Sequence, residues 1–189
     1  LRHQGDACAV ECADALMLAL DGYLREQDLW QLRVGDVVSH GQAVGLLFGR
    51  SQRGESSKTG RGQGVLVNYP RTRARLKQLL RNRKPTERLF RVTQAQYSSW
   101  WRRAAQALGV TVGPPHSVRH TGASRDMAEG YRDLDGIMRR GRWRALASVQ
   151  RYAKPHACLS ALASQPPAII EKGNFLLSQQ APRALKAIG

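Results

Sequence analysis

Between Ala7 and Leu32 apolar residues recur at positions 9, 10, 13, 16, 17 and 20, the period of a helix that buries one side. Gly22 interrupts this pattern, and a second, short helix is expected through Leu32. The period then changes. VGDVVS (34–39), AVGLLFG (43–49) and GVLVNYP (64–70) are short Val- and Leu-rich runs with turn residues between them, which predicts three strands. The loop joining the last two, RSQRGESSKTGRGQG (50–64), is long, glycine-rich and basic. Helical spacing returns in RTRARLKQLLRN (71–82) and in TQAQYSSWWRRAAQALG (93–109). In the second of these Tyr97, Trp101, Ala104 and Leu108 share one face, and Thr93 is placed to cap the start. Further helices are expected from about 116, 133 and 146, and no internal repeat is visible. After Pro155 the chain mixes Pro, Ser, Ala and Lys, with room for one short helix in AIIEKGNFLLSQQ (168–180). The pattern predicts a mainly α domain with a small antiparallel β-sheet, an α+β fold over 1–154, followed by a tail over 155–189.

Charge changes the picture. Thirty Lys and Arg stand against fourteen Asp and Glu, a net charge of +16, with a sequence pI near 11. Twenty-four of the thirty cations are arginine, the side chain that forks two donors onto one phosphate. Nucleic acid is therefore the first partner to consider, with binding that depends on salt. RNA recognition is disfavoured, because no stretch resembles a sheet of stacking aromatics. Cys8, Cys12 and Cys158 form an odd set without a CxxC pair. Cys8 and Cys12 lie one turn apart on the first predicted helix and read as small core residues, since no second pair of metal ligands exists. This usage fits a reduced, intracellular protein, in the bacterial cytoplasm or the eukaryotic nucleus. No apolar run reaches the roughly twenty residues of a membrane span. The first residue is Leu and no signal peptide is visible, so the chain reads as a fragment.

Candidate chemistry gathers in three places. HSVRHTGASRDM (116–127) collects His116, Arg119 and His120 at the start of a predicted helix. The amino end of a helix already carries partial positive charge, so cations there point to an anion from outside. His116 and Arg119, three apart, would share a helical face. GIMRRGRWRALASVQRYAKP (136–155) sets Trp143 nine residues before Tyr152 among basic neighbours. GYLREQDLWQL (22–32) holds Arg25 and Asp28, and the basic loop holds Lys58. Taken singly, each has a plain explanation: Arg25 with Asp28 as a surface ion pair, Trp143 as core, Tyr152 as amphipathic filler, Lys58 as a solvated charge.

Together and in this order they resemble the tyrosine recombinase (integrase) family of DNA-breaking enzymes. HSVRHTGASRDMAEG (116–130) is similar to that family's His-x-x-Arg-His-Thr helix through to Gly130. LDGIMRRGRW (134–143) and the following residues to Tyr152 resemble the segment with the family's His-or-Trp and its nucleophilic tyrosine. LALDGYLREQDLWQLRVGDV (18–37) resembles the segment of the first catalytic arginine, and SSKTGRGQGVLV (56–67) the hairpin that carries the catalytic lysine. The resemblance runs from about residue 8 to 154, and the family's amino-terminal DNA-clamping domain is absent from this chain.

The resemblance implies a catalytic set of Arg25, Lys58, His116, Arg119, Trp143 and Tyr152, with Asp28 and His120 in support. Tyr152 would attack a phosphodiester and leave a 3′-phosphotyrosyl link that preserves the bond energy for rejoining. Arg25 and Arg119 would hold the non-bridging oxygens where charge builds. Trp143 would add an indole N–H, Lys58 would protonate the leaving 5′ oxygen, and His116 would handle protons or touch the phosphate. Fixed cations would then suffice, with no metal and no nucleotide cofactor, and the enzyme would act as a homo-oligomer, a tetramer on DNA. Two departures stand out. The family reads Gly-x-Arg, whereas Tyr23 and Leu24 both separate Gly22 from Arg25. Many relatives have Gly-His where this chain has Gly141-Arg142, which makes Arg142 the alternative to Trp143. A DNA-binding domain of this fold that no longer cleaves, and a type IB topoisomerase, are the other readings.

Overall fold

The computed structural model describes residues 7–50, 62–152 and 154–178. Helix α1 (Ala7–Gly22) is the centre, with α3 (Pro70–Leu79), α4 (Gln94–Leu108) and α5 (Val118–Ala128) packed around it. It contributes Cys12, Ala15, Leu18 and Ala19 to the hydrophobic core. The face expected from periodicity, positions 9, 10, 13, 16, 17 and 20, is only half-buried, and Val10 is 51% exposed. Small residues face inward because neighbouring helices approach α1 closely there. Cys12 is buried and Cys8 packs at the edge of the core.

After α2 (Glu26–Gln31) come three strands: β1 (Val37–His40), β2 (Ala43–Phe48) and β3 (Gln63–Leu66), antiparallel in the order β1-β2-β3. Val37 pairs with Leu46 and Leu46 with Val65, so one face buries Val44, Leu46, Phe48 and Val65. The other face leaves Val38 and Leu66 exposed, the alternation expected of a sheet covered on one side. The β2–β3 hairpin contains Lys58, which lies outside the described residues.

Thr93 caps α4 as its sequence predicts. Its hydroxyl accepts from the Gln96 amide at 3.2 Å and the Gln96 side chain accepts from the Thr93 amide at 2.8 Å. Of the predicted face of α4 only Tyr97 is buried, while Trp101 turns its indole N–H to the Gly113 carbonyl at 2.9 Å. His116 does not lie in the first turn of α5. Pro115, His116 and Ser117 form a single 3₁₀ turn, and the α-helix begins at Val118. Helices α6 (Leu134–Gly141) and α7 (Leu146–Tyr152) follow. With α5 they enclose a second apolar cluster of Tyr23, Ala123, Ile137 and Val149, bordered by Trp143.

Among the described residues beyond Tyr152 there are two helices, not one. Pro155 opens α8 (Pro155–Ala163), where its missing N–H costs nothing, and α9 (Pro167–Ser178) follows. Helix α8 packs against α5, and the Lys154 amide donates to the Ser124 hydroxyl at 3.0 Å.

Helices α1 and α5 approach each other closely at Gly122. A Cβ there would lie 2.4 Å from the Leu20 carbonyl oxygen and 2.9 Å from the Tyr23 ring. Gly122→Ala is therefore expected to destabilise the protein by about 1–3 kcal/mol, the usual cost of overpacking. A melting temperature unchanged from the parent would show that α1 and α5 are not in this contact.

Candidate active site

The site is built on the turn that ends α1. Asp21 is buried, and its carboxylate accepts from the amides of Asn68 (3.0 Å) and Tyr69 (2.9 Å), just before α3. Arg140 of α6 reaches the same residue, donating to the Asp21 carbonyl (2.6 Å) and carboxylate (2.6 Å). Residues 21–25 are thus clamped between α3 and α6. Tyr23 then adopts a left-handed backbone conformation, with φ of 47°, and the chain turns sharply into Leu24 and Arg25.

Two groups of charges follow from this turn. In the first, Arg25 and Arg142 share one carboxylate oxygen of Asp28, at 3.7 Å and 2.6 Å. The Arg142 side chain is only 4% exposed and lies over the Phe48 ring at 4.2 Å. Its Nε and Nη1 are buried and have no hydrogen-bond partner among the described residues. Burial pulls its pKa below the ordinary arginine value, and the Asp28 charge and hydrogen bond oppose that pull. Arg25 remains partly exposed.

The second group centres on Arg119, which is 6% exposed. One terminal nitrogen donates to the Tyr23 carbonyl and the other to the Gly141 carbonyl. The guanidinium lies 4.3 Å from the centre of the Trp143 ring, a cation–π contact worth about 0.5–2 kcal/mol. Trp143 folds back over Gly141, where a Cβ would meet its ring at 1.8 Å. The residue between them, Arg142, is left-handed with φ of 55°. That kink sends the neighbouring side chains of Arg142 and Trp143 to different places, one to Asp28 and the other to Arg119.

Arg25, Asp28, Arg119, Arg142 and Trp143 are brought to one region by these contacts. His116 is exposed on its 3₁₀ turn, with its ring 6.5 Å from that of His120. Tyr152 is the last residue of α7, the helix whose Val149 is buried in the second cluster. Arg119 is fixed at two points by backbone carbonyls, so its plane is set before any ligand arrives. Such a group is suited to meeting charge that develops on a phosphate.

The model of the phage integrase family matches residues 3–157. The chain belongs to that family. No curated protein sequence matches it. Among solved structures it is similar to the XerH site-specific recombinase bound to palindromic difH, with a TM-score of 0.62 and 16% identity over 79% of this chain and 44% of that one. The Tn1549 transposon integrase in complex with circular intermediate DNA gives 0.58 and 16%, over 79% of this chain and 57% of that one. The catalytic domain of bacteriophage HP1 integrase gives 0.54 and 17%, over 85% of this chain and 90% of that one. The chain thus spans less than half the length of XerH and has the fold of a tyrosine recombinase catalytic domain. Among the described residues no helix is long and apolar enough to cross a membrane.

The Gly-x-Arg pattern of the resemblance has glycine two residues before the arginine, where this chain has Tyr23. The left-handed position, where glycine is usual at the end of a helix, is Tyr23, two residues before Arg25. Gly22 belongs to α1. The turn therefore falls at a tyrosine, two residues before Arg25. Residue patterns alone overlooked Tyr23, Asp21 and Arg140, and the only available signal was that missing glycine.

His120 lies beside both Arg119 and His116. Burial first, then the charge of Arg119 and then that of His116, push its pKa down to about 4 from an ordinary 6.5. The folded state thus resists protonation. The stability contributed by neutral His120 is complete above about 6.5 and is lost as the pH falls through about 4. An NMR titration should put the His120 midpoint near 4, and a midpoint near 6.5 would mean that the ring is solvated.

Proposed function

We propose that this chain cuts and rejoins DNA as a site-specific recombinase, with Tyr152 as the nucleophile. The observation that carries the reading is the doubly anchored Arg119 beside Trp143, next to the Arg25–Asp28–Arg142 group. Two preset guanidinium groups, Arg119 and the partly exposed Arg25, suit a dianionic phosphorane-like transition state. The Tyr152 oxygen bonds to phosphorus as the bond to the 5′ oxygen breaks. The tyrosine proton leaves through His116, and Lys58 delivers a proton to the departing oxygen. Trp143 contributes its indole N–H to the phosphate, and His120 keeps Arg119 and His116 in place. Reversing the steps rejoins a strand.

Residues 1–154 act as the catalytic domain and 155–189 as a tail. Binding to duplex DNA is supported by the charge of +16 and by the DNA complexes of XerH and the Tn1549 integrase. Assembly on DNA is as a homo-oligomer, a tetramer, in an intracellular, DNA-associated setting.

The test uses a pool of duplexes with a randomised central segment, nicked so that a short cleaved fragment diffuses away. The chain should form a denaturant-resistant protein–DNA adduct, linked to the 3′ end, in excess chelator and without nucleotide. Cleavage that requires a divalent metal, or binding without any adduct, would overturn the mechanism. The second outcome would favour a non-cleaving DNA-binding domain. Relaxation of supercoiled DNA by a monomer would favour the topoisomerase reading.

A further inference from the structure

Tyr23 occupies a left-handed position that glycine fills without strain, yet it is completely buried. A non-glycine residue held there is strained and persists only where its surroundings determine it. Those surroundings are specific. The hydroxyl donates to the Asp126 carboxylate on α5. Burial, then the Asp126 hydrogen bond and charge, raise the Tyr23 pKa far above its ordinary value, so it stays a donor throughout the working pH range. Asp126 is itself buried, and its carboxylate also faces Arg132 at 3.2 Å, Arg125 at 3.4 Å and the Tyr69 hydroxyl at 3.4 Å.

The same residue touches the site at two points. Its carbonyl accepts from Arg119, and its ring lies 6.3 Å from that of Trp143 at an interplanar angle of 40°. The Arg140 guanidinium covers the ring from another side at 5.3 Å. Tyr23 also belongs to the apolar cluster that includes Val149, one turn before Tyr152.

We infer that Tyr23 is a positioning residue: bolted to α5 by its hydroxyl on Asp126, it holds the carbonyl that aims Arg119 and the ring that seats Trp143. A glycine could adopt the turn but could not be fastened. The bolt replaces backbone freedom with a fixed side chain, so the direction of Arg119 depends on Asp126, more than a turn further along α5. The inference rests on the recombinase reading given above.

The test compares the parent with Tyr23→Phe and Tyr23→Gly, on one duplex recovered from the randomised pool. It is made with either a phosphodiester or a neutral methylphosphonate at the cleavage position. Tyr23→Phe removes only the hydroxyl, and Tyr23→Gly keeps the turn without strain but loses the bolt. Both should bind this duplex within about twofold of the parent. On the phosphodiester both should cleave about 10- to 100-fold more slowly, the range expected when a catalytic group is misplaced by up to about 1 Å. On the methylphosphonate, which lacks the charge that Arg119 meets, the gap should close. A purely structural defect would slow both substrates equally, and that result would overturn the inference. Parent-like cleavage of the phosphodiester by Tyr23→Gly would overturn it too, because the turn alone would then aim Arg119. A parent chain that forms no adduct on any duplex counts against the recombinase reading itself, whereas an active parent with equally active variants counts against Tyr23 alone.

Discussion

Tyr152→Phe is expected to bind duplex DNA as the parent does and to form no covalent adduct. The substitution removes one hydroxyl and leaves the apolar ring, so binding, which many cations share, should hardly change. Cleavage should fall to background, because removal of a covalent nucleophile can cost on the order of 10⁶ in rate. Tyr152 ends α7, Val149 in the same helix is fully buried, and the Lys154 amide is tied to Ser124 of α5. The backbone on both sides of Tyr152 is therefore anchored to the helix that carries Arg119. Peptide sequencing of the parent adduct should place the DNA on Tyr152. An adduct that persists in Tyr152→Phe would falsify the assignment and send the search to the other tyrosines.

Arg119→Ala should lower the cleavage rate by about 10²- to 10³-fold, the loss typical of one donor aimed at transition-state charge. It should also destabilise the fold. The Tyr23 and Gly141 carbonyls would lose the guanidinium that bridges them, and each buried group left unsatisfied costs about 1–3 kcal/mol. Arg119→Lys separates the two effects, because it keeps the charge but cannot fork onto two carbonyls and stack on Trp143 together. The lysine variant should stay folded below its melting temperature and still cleave slowly. Cleavage losses that only follow the unfolded fraction, measured by circular dichroism at the assay temperature, would argue that Arg119 is structural and nothing more.

The elements of this fold are largely local in origin, which is why they can be read along the chain. The Thr93 and Gln96 capping box, the alternation in AVGLLFG and the spacing of the 116–130 motif depend on residues within a few positions of one another. Local reading fails where partners are distant. Which side of α1 faces inward is set by the three helices packed around it and puts Cys12, Ala15 and Ala19 inside, since a helix rich in apolar residues all round has no single preferred face. Proline cannot continue a helix, but it is suited to starting one, and Pro155 opens α8, which packs on α5.

The site divides in the same way. By itself the sequence determined which residue types were present in a recombinase order: Arg25, His116, Arg119, Trp143 and Tyr152, with Lys58 in a basic hairpin loop outside the described residues. Only the tertiary structure decided what the described members touch. Arg142 and Trp143 are adjacent in the chain, and either spacing was admissible until a left-handed turn sent one to Asp28 and the other beneath Arg119. Tyr23 reads as an ordinary aromatic until its hydroxyl meets Asp126, 103 residues away. Hydrogen-bond direction and burial are properties of groups brought together by folding, and sequence distance carries no record of them. The chemistry was written in residue types; its aim is set by backbone carbonyls, which every residue has and no sequence pattern distinguishes.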